Sequence, residues 1–504
     1  MLTDGYGLKY YTITSSSSDL INPASPGASV PEFDCRNAPR GLKGPHTDNA
    51  YPDAGACEYT HLRVTNDSGD MGLDNSFLWT LESAQQKDAI HYVEFDISGP
   101  SDIIFENDGD VDERYFIDGF SQPESAIPGP HLIGIPGLTG AVLPINFVDD
   151  GGNNHGIKFE GDSESSTLIG VSIQGFNQDG IEILENNISV FGCEIGIDSA
   201  GTENGNEDDG IFIGSYFNLI GGWEHWMRNV ISGNGLVGGE EANIFIDTPR
   251  DYNKIIGNII GGSPDGMGGI GAVSQTPYGI FSEGRYNVIG IPLPNGGNII
   301  IDNEYGVYHT RFGDYSTVQN NKIGIAYDES TAVGNTNAGI SFHGSDDNLI
   351  GGYTRSTANI IAHNGAGIEL AFETTIAQGN TILGNSIHSN VNQGIDINAD
   401  GTVLANDGNY NSANANQGID FPEITGSTAC DESSTITTFE LSVPTGTAYR
   451  VEFFTVTSPD ATNGEGEVFV DATTITVTSN PQNFSPSSLR QLLICRRVKR
   501  CSCT

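Results

Sequence analysis

Residues 279–309 read GIFSEGRYNVIGIPLPNGGNIIIDNEYGVYH, one full period of the pattern that decides the fold. The period opens and closes on the same anchor: a small residue, then Ile or Val, a variable residue and usually an apolar one. Nine anchors follow one another at steps of 24 to 36 residues, beginning at Gly156, Gly180, Gly210, Asn243, Gly279, Gly306, Gly339, Gly367 and Gly394. Such a period predicts a solenoid, in which each repeat stacks on the next.

Two further apolar runs lie between successive anchors, for example NVIG at Asn287 and NIII at Asn298. Three short strands per repeat, separated by Gly and Asn turns, predict a coil with three faces. Alternation along each anchor strand directs its two apolar positions inward, and stacked coils bury them as a continuous column. We therefore predict an all-β fold, a right-handed parallel β-helix of about nine three-stranded coils.

Sequence outside the period gives the remaining boundaries. A helix is predicted at Phe77–Ala89, and alternating strands are predicted after Asp420. The predicted domains are an irregular Pro/Gly-rich segment at 1–60, an N-terminal cap with the first strands at 61–150, the β-helix at 151–418, an Ig-like β-sandwich at 419–487, and an atypical basic Cys-rich tail at 488–504.

Charge and cysteine content restrict the environment and the partners. The formal net charge is −44, so nucleic acid is excluded as a partner because like charges repel over most of the surface. No apolar run is long enough for a transmembrane helix, and no signal peptide is visible, so we expect an exported N-terminus to be missing. Cys35 and Cys57 are a possible disulfide pair, whereas Cys193 is expected in the core.

Four segments together resemble secreted bacterial right-handed parallel β-helix repeat proteins of the pectate-lyase-like superfold. They are TNDSGDMGLDNSFLWTLESA from Thr65, IDGFSQPE from Ile117, CEIGIDSAGTENGNEDDGIFIG from Cys193 and GIDFPEITG from Gly418. The resemblance spans about residues 61–487. It implies an extracellular or cell-surface location and a C-terminal Ig-like module, but it implies no particular activity, because one fold carries many functions.

A candidate glycan-binding surface follows from the third anchor position, which is expected to point out of the coil. Four consecutive coils carry an aromatic residue there, and an arginine lies just beyond the strand in three coils. The predicted glycan-binding residues are Phe212, Phe245, Phe281, Tyr308, Arg250, Arg285 and Arg311. Rings stack on sugar faces and guanidinium groups bind carboxylates or sulfates, unless a loop covers the rings and makes them ordinary core.

A catalytic alternative uses the same surface. Polysaccharide lyases of the resembled superfold use an Arg or Lys base with carboxylate-bound Ca²⁺. The residues that could take these roles here are Arg285, Arg311, Asp247, Glu283 and His309. Two acidic loops could also hold calcium: one contains Asp108, Asp110 and Asp112, and the other contains Asp198, Asp208 and Asp209. Solvated acidic turns explain both loops as well.

Three functions therefore remain open. The first is a non-catalytic adhesin or glycan-binding rod, whose partner is a polysaccharide or cell-surface glycan. The second is a Ca²⁺-dependent polysaccharide lyase acting on an acidic glycan. The third is a structural subunit that self-associates into an extracellular fibre or sheath, because stacked coils present strand edges for pairing.

Overall fold

The computed structural model describes residues 2–3, 9–10, 59–70, 72–83, 90–97, 101–105, 107–122, 143, 145–152, 154–198, 202–236, 239–270, 276–431, 434–457, 465–479 and 481–484. The chain divides into two compact units, residues 1–238 and 239–504, and each is described by itself. Cys35, Cys57 and the tail at 488–504 lie outside the described residues.

Short strands dominate the first unit. In chain order its strands are β1 (Leu2–Thr3), β2 (Lys9–Tyr10), β3 (Tyr59–Val64), β4 (Ser68–Gly69), β5 (Ile90–Phe95), β6 (Ser101–Phe105), β7 (Gly109–Val111), β8 (Tyr115–Asp118), β9 (Ile145–Asp149), β10 (Ile157–Phe159), β11 (Thr167–Ile169), β12 (Ser172–Gln174), β13 (Ile181–Ile183), β14 (Ser189–Phe191), β15 (Glu194–Ile195), β16 (Ile211–Ile213), β17 (Leu219–Ile220) and β18 (Val230–Ile231). The described helices are α1 (Phe77–Ser83) and two 3₁₀ turns, Gly119–Ser121 and His225–Met227.

From β5 to β15, each strand pairs in parallel with the strand three places further along the chain, which is the hydrogen-bond pattern of a three-faced coil. Strands β3 and β4 pair in parallel with β5 and β6, two places along, and β1 pairs antiparallel with β2. Sheet A, which carries the anchors, runs β7-β10-β13-β16. Sheet B runs β3-β5-β8-β11-β14-β17, and sheet C runs β4-β6-β9-β12-β15-β18. Parallel pairing therefore begins at β3, so the described strands of the segment predicted as a cap, 61–150, are paired within the coil sheets.

The second unit repeats this arrangement. Its coil strands are β19 (Ala242–Ile246), β20 (Lys254–Ile255), β21 (Ile259–Ile260), β22 (Tyr278–Ser282), β23 (Val288–Ile289), β24 (Ile299–Ile300), β25 (Tyr305–His309), β26 (Thr317–Val318), β27 (Lys322–Ile323), β28 (Ala338–His343), β29 (Leu349–Gly351), β30 (Ile360–Ala362), β31 (Ala366–Ala371), β32 (Thr381–Leu383), β33 (Ser386–His388) and β34 (Ile395–Ile397). Within this unit sheet A runs β19-β22-β25-β28-β31-β34, sheet B runs β20-β23-β26-β29-β32, and sheet C runs β21-β24-β27-β30-β33. The predicted right-handed parallel β-helix is confirmed.

The inward anchor positions form one face of the buried core. Ile181 and Ile183 are fully buried on β13, whereas Glu182 between them is only partly buried and faces outward. The same alternation recurs in β10 and β16. In the first unit α1 adds Phe77, whose ring centroid lies 4.7 Å from that of Phe147 in the core. The helix thus covers apolar residues that open strands alone would leave exposed.

Buried asparagines connect the coils of the second unit. The Asn321 side-chain oxygen accepts the backbone N–H and the side-chain amide of Asn298, both at 2.9 Å. Asn359 and Asn385 continue the same ladder at the following coils. Each step satisfies a corner amide that has no strand partner, and an unsatisfied buried amide costs about 1–3 kcal/mol.

A C-terminal antiparallel module follows the coil in the second unit. After a 3₁₀ turn at Ala415–Gly418, its strands are β35 (Glu423–Asp431), β36 (Ser434–Leu441), β37 (Ala448–Thr455), β38 (Val468–Thr476) and β39 (Gln482–Phe484). They form a three-stranded sheet, β35-β36-β39, and a two-stranded sheet, β37-β38. Their shared core contains Phe439, Leu441, Val443, Tyr449, Val451, Ile475 and Val477. The Ig-like assignment stays a prediction.

The module covers the last strand of sheet C in this unit. Gly466 forms an antiparallel bridge with Ile387 of β33, with both backbone hydrogen bonds at 2.8 Å. The Glu465 carboxylate accepts the backbone N–H groups of Ser389 and Asn390, at 2.6 and 2.7 Å, and the Asn390 side-chain amide at 3.0 Å. The Asn390 side-chain oxygen accepts the backbone N–H and the side-chain amide of Asn364 in the preceding coil. Glu465 therefore terminates a second amide ladder.

Among the described residues no helix combines the length and the apolar character needed to cross a bilayer.

Candidate functional site

The aromatic residues at the third anchor position of the second unit form a stacked column. Phe245 and Phe281 have ring centroids 4.9 Å apart with planes 11° apart, and Phe281 and Tyr308 follow at 5.3 Å and 10°. His343 stacks on Tyr308 at 4.3 Å. Phe281 is only 2% exposed, because Tyr278 also packs edge-on against it at 4.8 Å.

The ring faces therefore pack against one another and are not exposed to solvent. A sugar that stacks on an aromatic residue needs a free ring face. Phe281 has none, so the prediction of Phe281 as a glycan-stacking residue is wrong, and Phe245 and Tyr308 are half-buried beside it. Phe212 is half-buried on β16 of the first unit, where it lies in register with Glu182. Among the residues that the structure describes, Tyr278 of the same strand covers this column beside Phe281.

Each of the three predicted arginines pairs with a different carboxylate. Arg250 lies 3.9 Å from Asp247, and Arg285 lies 3.6 Å from Asp314. Arg311 donates to Glu373 at 2.8 Å and places its guanidinium 4.2 Å from the Phe312 ring centroid. Arg285 is the most exposed of the three side chains. The arginines thus do not converge on one point, as a lyase site would require.

His309 is a core residue and not a candidate base. It is fully buried on β25 and stacks on Phe342 with ring centroids 5.0 Å apart. Burial lowers the pKa of His309 to about 3, so the imidazole is neutral at ordinary pH. Glu283 accepts a hydrogen bond from the Thr310 hydroxyl at 3.3 Å, and burial followed by nearby carboxylates raises its pKa. Casting His309 as a catalytic group is therefore wrong.

An exposed aromatic ladder lies in the turns just beyond these strands. Tyr252 and Tyr286 have ring centroids 5.0 Å apart with planes 5° apart, and Tyr286 and Tyr315 repeat this at 5.0 Å and 10°. Unlike the column on sheet A, the three tyrosines are 45%, 41% and 45% exposed. We call Tyr252, Tyr286 and Tyr315 the tyrosine ladder. Arg285 precedes its central member in the chain.

All three tyrosines have left-handed backbone conformations, with φ of 64°, 55° and 57°. The amide of each donates to a carbonyl of the next coil, as Tyr252 does to Arg285 at 3.1 Å. Asn187 and Asp347 make the same bond at the same corner with φ of 59° and 56°. Sequence reasoning missed the ladder because it interpreted these positions only as turns, although an aromatic residue before Asn253 and Asn287 was visible.

A charged cluster occupies sheet A of the first unit. Asp110, Lys158 and Glu182 are in register on β7, β10 and β13. Just before β10, the two ring nitrogens of His155 face different carboxylates, with Nδ1 3.2 Å from Asp179 and Nε2 3.7 Å from Glu182. Lys158 Nζ lies 3.5 Å from Glu182 and 3.3 Å from Glu160.

The cluster shifts the proton affinities of its members. Partial burial, then Glu160 and Asp108, raise the pKa of Asp110 to about 6. Burial alone would lower the pKa of His155, but the Asp179 hydrogen bond and the charges of Asp179 and Glu182 outweigh it and raise that pKa. Desolvation also opposes the charge on Lys158, yet Glu182 and Glu160 raise its pKa. Carboxylate charge therefore dominates this face.

In neither predicted calcium loop do carboxylate oxygens of the three named aspartates all lie within 4.8 Å of one another. Asp110 lies on β7, and Asp108 and Asp112 flank that strand, where an extended chain separates alternate residues by roughly 6.6 Å. Asp198 accepts the Thr202 amide at 2.8 Å, and Asp209 donates its own amide to Asp179 at 3.0 Å. Among the residues that the structure describes, the one His/carboxylate group with all ligand atoms within 4.8 Å is His155, Asp179 and Glu182.

No protein-family model and no curated protein matches this chain. Solved structures that resemble it include the Dettilon tailspike protein, at 13% identity and a TM-score of 0.31, covering 82% of this chain and 88% of that one. The A-module of a mannuronan C-5 epimerase from Azotobacter vinelandii has 13% identity and a TM-score of 0.32, covering 67% and 80%. A pectate lyase has 13% identity and a TM-score of 0.29, covering 67% and 74%. The assignment as a parallel β-helix rests on the strand pairing described above.

Proposed function

We propose that this protein is an extracellular, non-catalytic glycan-binding β-helix and that the tyrosine ladder is its binding surface. The observation that carries this proposal is the presence of three exposed, stacked tyrosines in left-handed conformations on successive coils. The proposal keeps the predicted class of function but moves the site from the covered column on sheet A to the turns beside it.

Backbone geometry does not require tyrosine at these corners. A non-glycine residue in the left-handed region costs roughly 1–2 kcal/mol, and bulky residues are rare there. Asn187 and Asp347 show that small polar residues fit the same corner. Exposed aromatic clusters of this kind mark interaction surfaces.

The ladder offers ring edges, and not free ring faces, to an extended sugar chain, because Tyr286 is stacked on both sides. Its exposed edges carry phenol hydroxyls, which both donate and accept hydrogen bonds, beside apolar ring carbons. Arg285 adds a half-exposed guanidinium, held only by a long 3.6 Å contact to Asp314. A ligand carboxylate or sulfate could replace that contact with a bidentate pair. These features favour a chain that lies along the coil axis and carries acidic groups.

A glycan array, followed by affinity electrophoresis on the acidic polysaccharides that bind, tests the proposal. Tyr286→Asn removes the central ring and places a residue suited to left-handed φ at that corner. Stability should hold or rise by about 1 kcal/mol, while Kd should increase at least fivefold, since 1 kcal/mol corresponds to about that factor.

Tyr353→Ala is the matched control, because Tyr353 is an exposed tyrosine of the same unit outside the ladder. It should leave Kd unchanged. Absence of glycan binding, or equal loss in both variants, would contradict the proposal. Release of unsaturated uronate during the same incubations would instead support the lyase alternative.

A further inference from the structure

We propose that His155, Asp179 and Glu182 of the first unit bind a divalent transition-metal ion such as Mn²⁺. This site is independent of the tyrosine ladder, which belongs to the other unit. One nitrogen and two carboxylate oxygens lie within 4.8 Å of one another. An ion at the centre of such a triangle is about 2.8 Å from each corner, and small side-chain rotations shorten this toward the usual 2.0–2.2 Å.

The three side chains are held in place before any ion arrives. Their exposed fractions are 15%, 9% and 17%, so all are largely buried. Asp179 accepts the Asp209 amide at 3.0 Å with its other oxygen, and the His155 amide donates to Asp108 at 2.7 Å. The Glu182 backbone is held on β13, in register with Lys158. Side chains anchored this way lose little freedom on binding.

One carboxylate oxygen of the cluster is buried without accepting a hydrogen bond. Glu182 Oε2 is buried and accepts no hydrogen bond. Its cationic neighbours lie at ion-pair distance, with Lys158 Nζ at 3.5 Å and His155 Nε2 at 3.7 Å. A buried carboxylate oxygen that accepts no hydrogen bond is destabilised, because it has lost its water contacts without replacing them. A metal ion in the triangle would supply the missing contact.

Charge and donor type indicate the class of ion. Asp108, Asp110 and Glu160 add further carboxylates around the triangle, against the single lysine, Lys158. A dication is therefore favoured electrostatically. The imidazole nitrogen favours a transition metal over Ca²⁺ or Mg²⁺, which prefer all-oxygen sites. The competing arrangement is a protonated His155 that bridges the two carboxylates.

Binding of Mn²⁺ to the full chain, followed by electron paramagnetic resonance, tests the site. Mn²⁺ is chosen because the seven cysteines of the chain would capture softer ions such as Zn²⁺. We expect one Mn²⁺ per chain, with a nitrogen hyperfine coupling from the imidazole in pulsed spectra. Glu182→Gln and His155→Gln should each weaken binding at least tenfold, and His155→Gln should abolish the nitrogen coupling.

Glu160→Gln is the matched control, since it removes the same charge from the same patch without removing a proposed ligand. It should change Kd less than threefold. Equal losses in Glu160→Gln and Glu182→Gln, absence of a one-to-one complex, or a nitrogen coupling that survives His155→Gln would overturn the proposal. Circular dichroism and metal-free thermal unfolding of each variant separate loss of the site from loss of the fold.

Discussion

The outward anchor positions of the two units include different kinds of side chain, a charged cluster in the first unit and an aromatic column in the second. In the first unit Asp110, Lys158 and Glu182 form a charged cluster, with one lysine in register between two carboxylates. In the second unit Phe245, Phe281 and Tyr308 occupy the same kind of position and cover one another by stacking. In a parallel β-helix, equivalent positions of successive coils are neighbours. The side chains along such a column therefore decide whether the column is solvated or buried.

The strongest test of this contrast is Phe281→Ala. Although Phe281 points out of the coil, its burial resembles that of a core residue, so we expect a loss of about 3–5 kcal/mol in the free energy of unfolding. Denaturant unfolding measures this loss, and the exposed-site variant Tyr353→Ala should lose almost nothing. A loss below 1 kcal/mol would show that the column is solvated after all.

A buried carboxyl group in the first unit gives a second, pH-dependent test. Glu194 on β15 is almost fully buried, and burial followed by the Asp198 charge raises its pKa to about 8. The folded state thus holds the proton more tightly than the unfolded state, whose pKa is about 4.3. Stability contributed by this group is complete below pH ~4 and declines as pH rises toward 8.

Glu194→Gln should remove that decline. The variant should match the wild type at pH 4 and exceed it by a few kcal/mol above pH 8, since each pKa unit corresponds to about 1.4 kcal/mol. Urea unfolding at several pH values measures the difference. An equal effect of the substitution at every pH would show that Glu194 titrates normally.

The smallest effect is expected at the edge of the aromatic column. Arg311 and Glu373 form a close ion pair, but each side chain is about one third exposed, at 35% and 34%. Solvent screens such a pair, so Arg311→Gln should cost about 0.2–1 kcal/mol. The cost should shrink further in high salt. A cost above 2 kcal/mol would mean that Arg311 stabilises the buried part of the aromatic column and not only its exposed edge.

The sequence predicted the fold well because one short pattern recurs and its apolar positions alternate. It also predicted the outward direction of Phe245 and Tyr308, but it could not show that Phe281 would be covered, since that depends on ring orientation between coils. The cluster at His155 could have been found by register. His155, Asp179 and Asp209 each directly precede an anchor glycine, so stacking brings them to one corner. The tyrosine ladder was hidden because aromatic residues are unusual at left-handed corners.

Termination of the coil by the C-terminal module has a consequence for how such chains evolve. Glu465 and Gly466 form hydrogen bonds with the last rung, through Ser389, Asn390 and Ile387. Duplication or deletion of one whole repeat farther up the second unit would leave those contacts unchanged. Gene length can therefore vary in steps of one repeat while the closing contacts stay the same, so homologues of different lengths should share this junction more faithfully than they share their number of coils.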